Sequence, residues 1–151
     1  MSEDMVKKDC IQVLNDNYIA HLGYIFNNVP FITPITYYYD QKENIIISYS
    51  DEGHKISAMR LNPFVAFQLE EINSINNWKS VLIVGEFEEL KGSEAKMQLH
   101  KFAQNVKSLI AKKETKNPES INFFSSKLNT GNIPIVYRIK VNEILGKQQL
   151  L

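Results

Sequence analysis

The segment Ser50-Asp51-Glu52-Gly53-His54-Lys55 contains the side chains of this sequence that best suit the binding of an anion. It joins a β-branched apolar run to a short amphipathic stretch, which predicts a strand, a tight turn and the start of a helix. The first N–H groups of a helix have no partner within the helix and receive phosphate oxygens readily. Lys55 in the first turn would oppose the helix dipole unless a bound phosphate removed that penalty. In the alternative interpretation, Asp51 or Glu52 neutralises the dipole and Lys55 is merely solvated.

Other reactive side chains are scattered along the chain. His21, His54 and His100 fall on different predicted elements without supporting cysteine or carboxylate ligands, so no metal site is expected. Cys10 lies on the apolar stripe of a predicted helix, where we expect a buried, unreactive thiol and not a nucleophile. The sequence contains no P-loop and no GxGxxG, HExxH, CxxC or GxSxG pattern.

The composition limits the kind of protein that this chain can be. Its 151 residues are 44% apolar and 23% charged, so we expect residues 1–151 to form a single globular domain. Seventeen basic residues balance seventeen acidic ones, which argues against nucleic acid or an anionic membrane as a partner. Cys10 is the only cysteine, so an intrachain disulfide is excluded, and a cytoplasmic location is expected. The acidic start of the chain is also unlike a secretory signal.

β-branched and aromatic runs separated by polar turns predict about six strands. They are residues 18–25, 31–39, 45–49, 64–69, 78–90 and 135–141. The longest contains Val81-Leu82-Ile83-Val84, which indicates burial on both faces, and Gly85 after it predicts a bend or a close backbone approach. The polar residues 70–77 are expected to form a loop.

Three helices are predicted around these strands from apolar residues at helical spacing. The first can be capped by Asp4 and has its apolar residues between positions 6 and 14. The second covers residues 53–61 before Asn62-Pro63, and the third can be capped by Ser93 and has its apolar residues between positions 99 and 110. Residues 112–132 are predicted to be a polar excursion, suited to a lid over a cleft or to a disordered loop. Together these elements predict a mainly β, α+β fold in which six or so antiparallel strands close into a barrel with peripheral helices.

Six segments between residues 10 and 90 have a characteristic order and spacing. They are Cys10-Ile11-Gln12-Val13-Leu14, Tyr18-Ile19-Ala20-His21-Leu22-Gly23, Pro30-Phe31-Ile32-Thr33-Pro34-Ile35, Gly53-His54-Lys55-Ile56, Arg60-Leu61-Asn62-Pro63 and Asn77-Trp78-Lys79-Ser80-Val81. In this order they resemble the pyridoxamine 5'-phosphate oxidase-like superfamily of FMN-binding split-barrel proteins. The likeness is strongest to the nitroimidazole-resistance-type flavoproteins, which have a similar glycine, basic residue, lysine step. Residues 136–147 resemble the closing strand of these proteins more weakly.

The resemblance implies a homodimer that binds FMN at the subunit interface, and it implies three groups of cofactor-binding residues. Thr33, Pro34, Ile35 and Thr36 would line the isoalloxazine ring. His54 and Lys55 would hold the phosphate, with Ser48 and Tyr49 beside it. Trp78, Lys79 and Ser80 would add contacts from the long strand, and Arg60 is a candidate helper.

The residue types in these groups agree with a flavin site, because a planar heteroaromatic ring needs an apolar slot with a few backbone donors and acceptors. Pro34, Ile35, Tyr37 and Trp78 could supply the walls of such a slot. Alternatively, Tyr37, Tyr38 and Tyr39 pack in the barrel core, and Trp78 anchors an interface between subunits.

Three functions stay open on these grounds. The first is an FMN-dependent oxidoreductase that passes electrons from NAD(P)H to a small-molecule acceptor, with no catalytic side chain identified. The second is a flavin-binding or redox-sensing module without turnover, and the third is a barrel that binds haem, a deazaflavin or no cofactor.

Two departures from the family pattern restrict the activity that the resemblance implies. Ser48 stands where nitroimidazole-resistance proteins have a histidine near the flavin, which puts that activity in doubt. The sequence also ends without the arginine-bearing signature of true pyridoxamine phosphate oxidases, so vitamin B6 oxidation is not expected.

Overall fold

Eight strands and three helices form the part of the chain that the computed structural model describes, residues 2–114 and 133–151. The strands are β1 (Glu3–Asp4), β2 (Ile19–Phe26), β3 (Val29–Thr36), β4 (Tyr38–Asp40), β5 (Ile45–Ser50), β6 (Phe64–Ser74), β7 (Asn77–Glu89) and β8 (Ile135–Gln149). The helices are α1 (Lys7–Asp16), α2 (His54–Leu61) and α3 (Gly92–Lys113). All strand pairs are antiparallel, in the order β3-β2-β6-β7-β8-β5-β4 with β1 beside β8.

One bent strand closes this sheet into a barrel. β3 pairs with β2 along its whole length, and after Tyr37 the chain continues as β4, which pairs with β5 instead. The two edges of the sheet are therefore two halves of one strand. Within the described residues no ladder joins β3 to β5. We call the gap between these two strands the split, and the predicted mainly β, α+β split-barrel fold is confirmed.

Asparagines fix the register of the strands that border the split. Asn27 and Asn28 have φ angles of 51° and 62° and form the two-residue turn between β2 and β3. Such turns require positive φ at both positions, which asparagine tolerates better than most residues. Asn44 also has a positive φ, of 54°, at the end of the turn between β4 and β5.

The buried apolar side chains form two clusters. The larger one fills the barrel and includes Leu22, Phe67 and Ile83, each with no exposed surface. The smaller one lies between the barrel and α3 and includes Ile47 and Phe102. Residues of β5 alternate between the two clusters, because successive side chains of a strand point to opposite faces.

No helix in the described ranges is long and apolar enough to cross a membrane.

Several predicted boundaries are wrong, and for Asp4 and residues 70–74 the reason is strand pairing with residues distant in sequence. Asp4 does not cap α1 but pairs in β1 with β8, where its carboxylate binds the Lys147 ammonium group. Ser93 does not cap α3, whose N-cap is Lys91. Residues 70–74 continue β6, since their backbone pairs with β7. Of the predicted excursion, residues 112 and 113 belong to α3, and residues 115–132 lie outside the described residues.

Candidate functional site

A mainly polar cleft of ≈ 380 Å³ opens at the split. It is lined by Tyr24 of β2, Thr33 of β3 and residues 50–55, which end β5 and begin α2. The segment that the sequence predicts as an anion site therefore does lie at a concave surface. We call this surface the cleft.

Ser48 marks the closed end of the split. Its hydroxyl donates a hydrogen bond to the Thr36 carbonyl oxygen at 2.6 Å, just beyond the last ladder pair of β4 and β5. The Ser48 side chain is 1% exposed and faces the barrel interior, as Ile46 does. Ser48 thus fastens the two strands at the point from which they diverge, and the structure does not bring it to the cleft.

The first turn of α2 presents unpaired backbone donors to the cleft. Gly53 is the N-cap and supplies no side-chain cap, and the first turn contains no acidic residue. The Ser57 amide makes the first helical bond, to the Gly53 carbonyl oxygen at 3.0 Å. The amides of the preceding helical residues are the ones that any helix leaves without an internal partner. An anion bound here would satisfy them and would also interact favourably with the helix dipole.

Lys55 is a half-buried cation at the same helix start. Burial lowers the pKa of its ammonium group, and the nearby Asp51 charge acts in the opposite direction. In the described part of the chain Lys55 makes no ion pair within 4.0 Å. Lys55 is thus positioned to contact an anion at the start of α2, and its assignment as a phosphate ligand stays a prediction.

His54 is held in a group of aromatic rings at the edge of the cleft. Its Nδ1 atom lies 2.8 Å from the Tyr24 hydroxyl, and the rings of Phe26 and Phe31 each lie 4.8 Å from the imidazole. The His54 residue itself is exposed. The imidazole is therefore supported from β2 and β3 while its surface remains accessible from the cleft.

Arg60 contacts carboxylates and not the cleft itself. Its two terminal nitrogens bind both Glu52 carboxylate oxygens at 3.0 Å, and its Nε binds Glu89 at 2.8 Å. These bonds attach the loop before α2 to the end of β7. Arg60 also neutralises Glu52, which would otherwise repel an anion at the cleft.

The four residues predicted along the flavin ring have different surroundings. Thr33 lines the cleft. The Thr36 carbonyl oxygen lies at the closed end of the split, where it accepts the Ser48 hydrogen bond. Ile35 is 7% exposed and points into the barrel, whereas Pro34 is exposed on the opposite face of β3.

Tyr49 is predicted to lie beside the phosphate. The structure places it under α3 instead, with its ring 5.3 Å from Phe102.

Trp78, Lys79 and Ser80 lie at the start of β7 and do not line the cleft of their own chain. Two strands separate β7 from β3, which places it about 14 Å away at the usual strand spacing. The Ser80 hydroxyl accepts a hydrogen bond from the Gln68 side chain at 2.9 Å. Their assignment to a flavin site stays a prediction, and it requires a second copy of the chain.

The core interpretation of the tyrosine run is confirmed for Tyr37. This side chain has no exposed surface, its hydroxyl donates to the Leu14 carbonyl oxygen at 2.7 Å, and its ring packs on Phe67 at 4.9 Å. Tyr37 is therefore not a wall of the cleft.

The residue that sequence reasoning missed is Tyr24. The sequence predicts a strand over residues 18–25, but nothing in it places Tyr24 beside the start of α2, 30 residues away. Only the closure of the barrel brings β2 and α2 together.

Comparison with known proteins agrees with the split-barrel fold. A family model described as pyridoxamine 5'-phosphate oxidase matches residues 7–148. The chain therefore belongs to the pyridoxamine 5'-phosphate oxidase family.

Individual relatives agree with this assignment. RA0666, an uncharacterised protein of Rhizobium meliloti (strain 1021), is 28% identical over 144 residues, which cover 95% of this chain and 92% of that protein. A crystal structure described as an FAD-binding protein from Mesorhizobium loti has a TM-score of 0.75 and 24% identity, and it covers 100% of this chain and 98% of the other. A candidate 5-nitroimidazole antibiotic resistance protein from Bacteroides thetaiotaomicron has a TM-score of 0.70 and 14% identity, over 98% and 87% of the two chains. The two structures share the fold of this chain.

Proposed function

We propose that this chain is an FMN-dependent oxidoreductase that passes electrons from NAD(P)H to a small-molecule acceptor. The observation that carries the proposal is the half-buried Lys55, which has no ion pair in the described residues and lies beside the uncapped start of α2. Bound FMN would supply the redox chemistry. The protein would hold the phosphate in the cleft, orient the ring and restrict the access of water.

The cleft suits a phosphate because it offers several hydrogen-bond donors and its Glu52 carboxylate is paired with Arg60. Glu52 is neutralised by Arg60, whereas the amides of α2, the Lys55 ammonium and the His54 ring are available. A terminal phosphate monoester carries nearly two negative charges at neutral pH and accepts several hydrogen bonds at once. A relative with this fold is described as FAD-binding. We favour FMN because the start of α2 with Lys55 and His54 suits a terminal phosphate group, which FMN carries and FAD lacks.

β3 offers the flavin ring a natural position. It is an edge strand, with no ladder on its split side within the described residues, so backbone N–H and C=O groups face the split. Thr33, also on this strand, lines the cleft. A ring placed along β3 would have these backbone groups as hydrogen-bond partners.

We further propose that two copies of the chain form a homodimer in the cytoplasm, with FMN at their interface. The outer face of strands β3, β2, β6, β7 and β8 exposes a contiguous apolar surface, which monomeric proteins seldom do. Its large exposed side chains are Ile25, Ile32, Phe64, Val84 and Leu145. A groove of ≈ 390 Å³ in this face includes Tyr24, which also lines the cleft. A partner docked on this face would therefore reach the cleft and bring a second set of residues such as Trp78 to it.

The first prediction tests the oxidoreductase itself. The purified protein, reconstituted with FMN, should have a flavin absorption spectrum that bleaches on anaerobic addition of NADH or NADPH, because the cofactor accepts a hydride. Heating should release FMN that mass spectrometry identifies. Bound FMN that neither donor reduces would support the flavin-binding or sensing module, and a protein that ignores saturating FMN would refute flavin binding altogether.

The second prediction tests the dimer. Ile32→Glu places a charge on a side chain that is 76% exposed and lines the groove of the apolar face, and it should convert a dimer to a monomer in analytical ultracentrifugation. Met97→Glu, at a 49% exposed position of α3, is the control and should leave the assembly unchanged. A wild-type monomer, or an Ile32→Glu dimer of unchanged affinity, would contradict this interface.

A further inference from the structure

We infer that Tyr24 is a positioning residue that makes His54 a permanent hydrogen-bond donor toward an oxyanion in the cleft. The inference rests on the proposed function, because it assigns a role within the phosphate site. It concerns a residue that neither the sequence patterns nor the family resemblance singled out. The reacting groups are not involved, since Tyr24 acts through the imidazole of His54.

The hydroxyl of Tyr24 determines which imidazole nitrogen carries the proton. Tyr24 is 7% exposed, and its hydroxyl has one hydrogen-bond partner in the described residues, Nδ1 of His54 at 2.8 Å. Among the described residues Nδ1 is the one acceptor available to the Tyr24 O–H, so we assign the O–H as the donor of this bond. A neutral imidazole whose Nδ1 accepts carries its proton on Nε2.

Protonation does not change the character of Nε2. The imidazolium has hydrogens on both nitrogens, so Nδ1 then donates to the Tyr24 oxygen and Nε2 still donates to any ligand. Nε2, the nitrogen that does not bond Tyr24, is therefore a hydrogen-bond donor in both charge states. Without Tyr24, the neutral ring could adopt the other tautomer and present an acceptor, which would repel a phosphate oxygen.

The neighbouring rings keep the imidazole in this arrangement. Tyr24 stacks on Phe31 with ring centres 5.7 Å apart and planes 16° apart. Phe26 and Phe31 meet the His54 ring edge-on, at interplanar angles of 89° and 70°. Turning the imidazole over would break the Tyr24 bond and disturb both contacts. The cleft therefore presents a lysine, helix amides and a fixed imidazole donor, and this set matches a ligand group that only accepts.

The test compares FMN with riboflavin, which lacks the phosphate. Tyr24→Phe should weaken FMN binding roughly tenfold and leave the affinity for riboflavin unchanged, since it removes one hydroxyl and keeps the ring packing. In a His54→Ala background the same substitution should have no further effect, because Tyr24 acts through His54. Tyr39→Phe, which removes a hydroxyl bound to Asn44 at 2.8 Å, is the control. Equal weakening of both flavins by Tyr24→Phe, or an additive loss in the double variant, would overturn the inference.

A second measurement needs no flavin. The nitrogen NMR shifts of the His54 ring in the protein without added cofactor should show the proton on Nε2 at neutral pH, and Tyr24→Phe should give a mixture of the two tautomers. A neutral ring with its proton on Nδ1 in the wild-type protein would overturn the inference whatever the cleft binds, whereas the charged ring, with a proton on both nitrogens, is set aside by its distinct nitrogen shifts. If neither flavin binds the wild-type protein, the proposed function fails, while the ring spectrum still decides the role of Tyr24.

Discussion

Replacing Lys55 by methionine should weaken FMN binding about 10- to 100-fold and leave riboflavin binding within about twofold of the wild-type value. Methionine keeps the length and the apolar stem of the side chain but lacks the ammonium group. A charge-assisted hydrogen bond to a phosphate in a partly buried site contributes about 1.5–3 kcal/mol, which corresponds to the expected range. Isothermal titration with both flavins measures the difference. Lys96→Met, at an exposed position on α3, is the matched control and should change neither affinity.

The pH dependence of binding provides an independent check on Lys55. Burial lowers the pKa of this lysine in the free protein, so it loses its charge at a lower pH than an ordinary surface lysine does. The affinity for FMN should therefore be highest where Lys55 is protonated and should fall as the pH rises through this lowered pKa. In Lys55→Arg the fall should disappear, because arginine stays charged.

For the Lys55→Met substitution itself, a variant that binds FMN as tightly as the wild type would place the phosphate elsewhere.

The sequence predicts the position of most strands because their patterns are local, yet it cannot show which strands pair. Residues 31–39 are a continuous run rich in β-branched and aromatic residues, so they predict one strand. The structure divides it at Tyr37, where the chain exchanges β2 for β5 as its partner. This exchange creates the split. It depends on where β2 ends and β5 begins in space, and no residue within the segment signals it.

The tip of the β6–β7 hairpin is a second case in which the sequence does not show how strands pair. Residues 70–77 are polar, with Ile72 68% exposed, and their composition favours a loop. The backbone nevertheless continues the ladder to Ser74 because β7 supplies hydrogen bonds to it. A polar two-stranded extension and a loop differ in backbone pairing and not in side-chain type, so composition does not separate them.

The candidate site was predictable to the extent that it is one continuous segment. Residues 50–55 combine a strand end, an uncapped helix start and two basic side chains, and the structure places all of them at the cleft. Ser48 and Tyr49 are adjacent on β5 and must face opposite sides, so at most one of them could have faced the cleft. Ser48 faces the barrel and Tyr49 faces α3, which the alternation alone does not decide.

Gly85→Ala should destabilise the protein by about 3 kcal/mol, because it is the substitution for which the barrel has least room. A Cβ atom at this position would lie 2.3 Å from the Lys140 carbonyl oxygen and 2.7 Å from Cγ2 of Ile139. Both atoms belong to β8, at the register shift where β7 and β8 pass a bulge. The close backbone approach that the sequence predicts at Gly85 is thereby confirmed. Relief of the clash requires β8 to move away from β7 in the middle of their long ladder.

The free energy of unfolding in urea, followed by the fluorescence of Trp78, measures this loss. Gly53→Ala is the matched control, because a Cβ at Gly53 meets no atom within 4 Å and its φ of 172° is extended backbone that alanine adopts freely. We expect the control to stay within about 1 kcal/mol of the wild type, the remaining difference being the weaker capping by alanine. If Gly85→Ala costs no more than Gly53→Ala, β8 must yield at the bulge. The barrel would then be less rigid on the side opposite the split than its packing indicates.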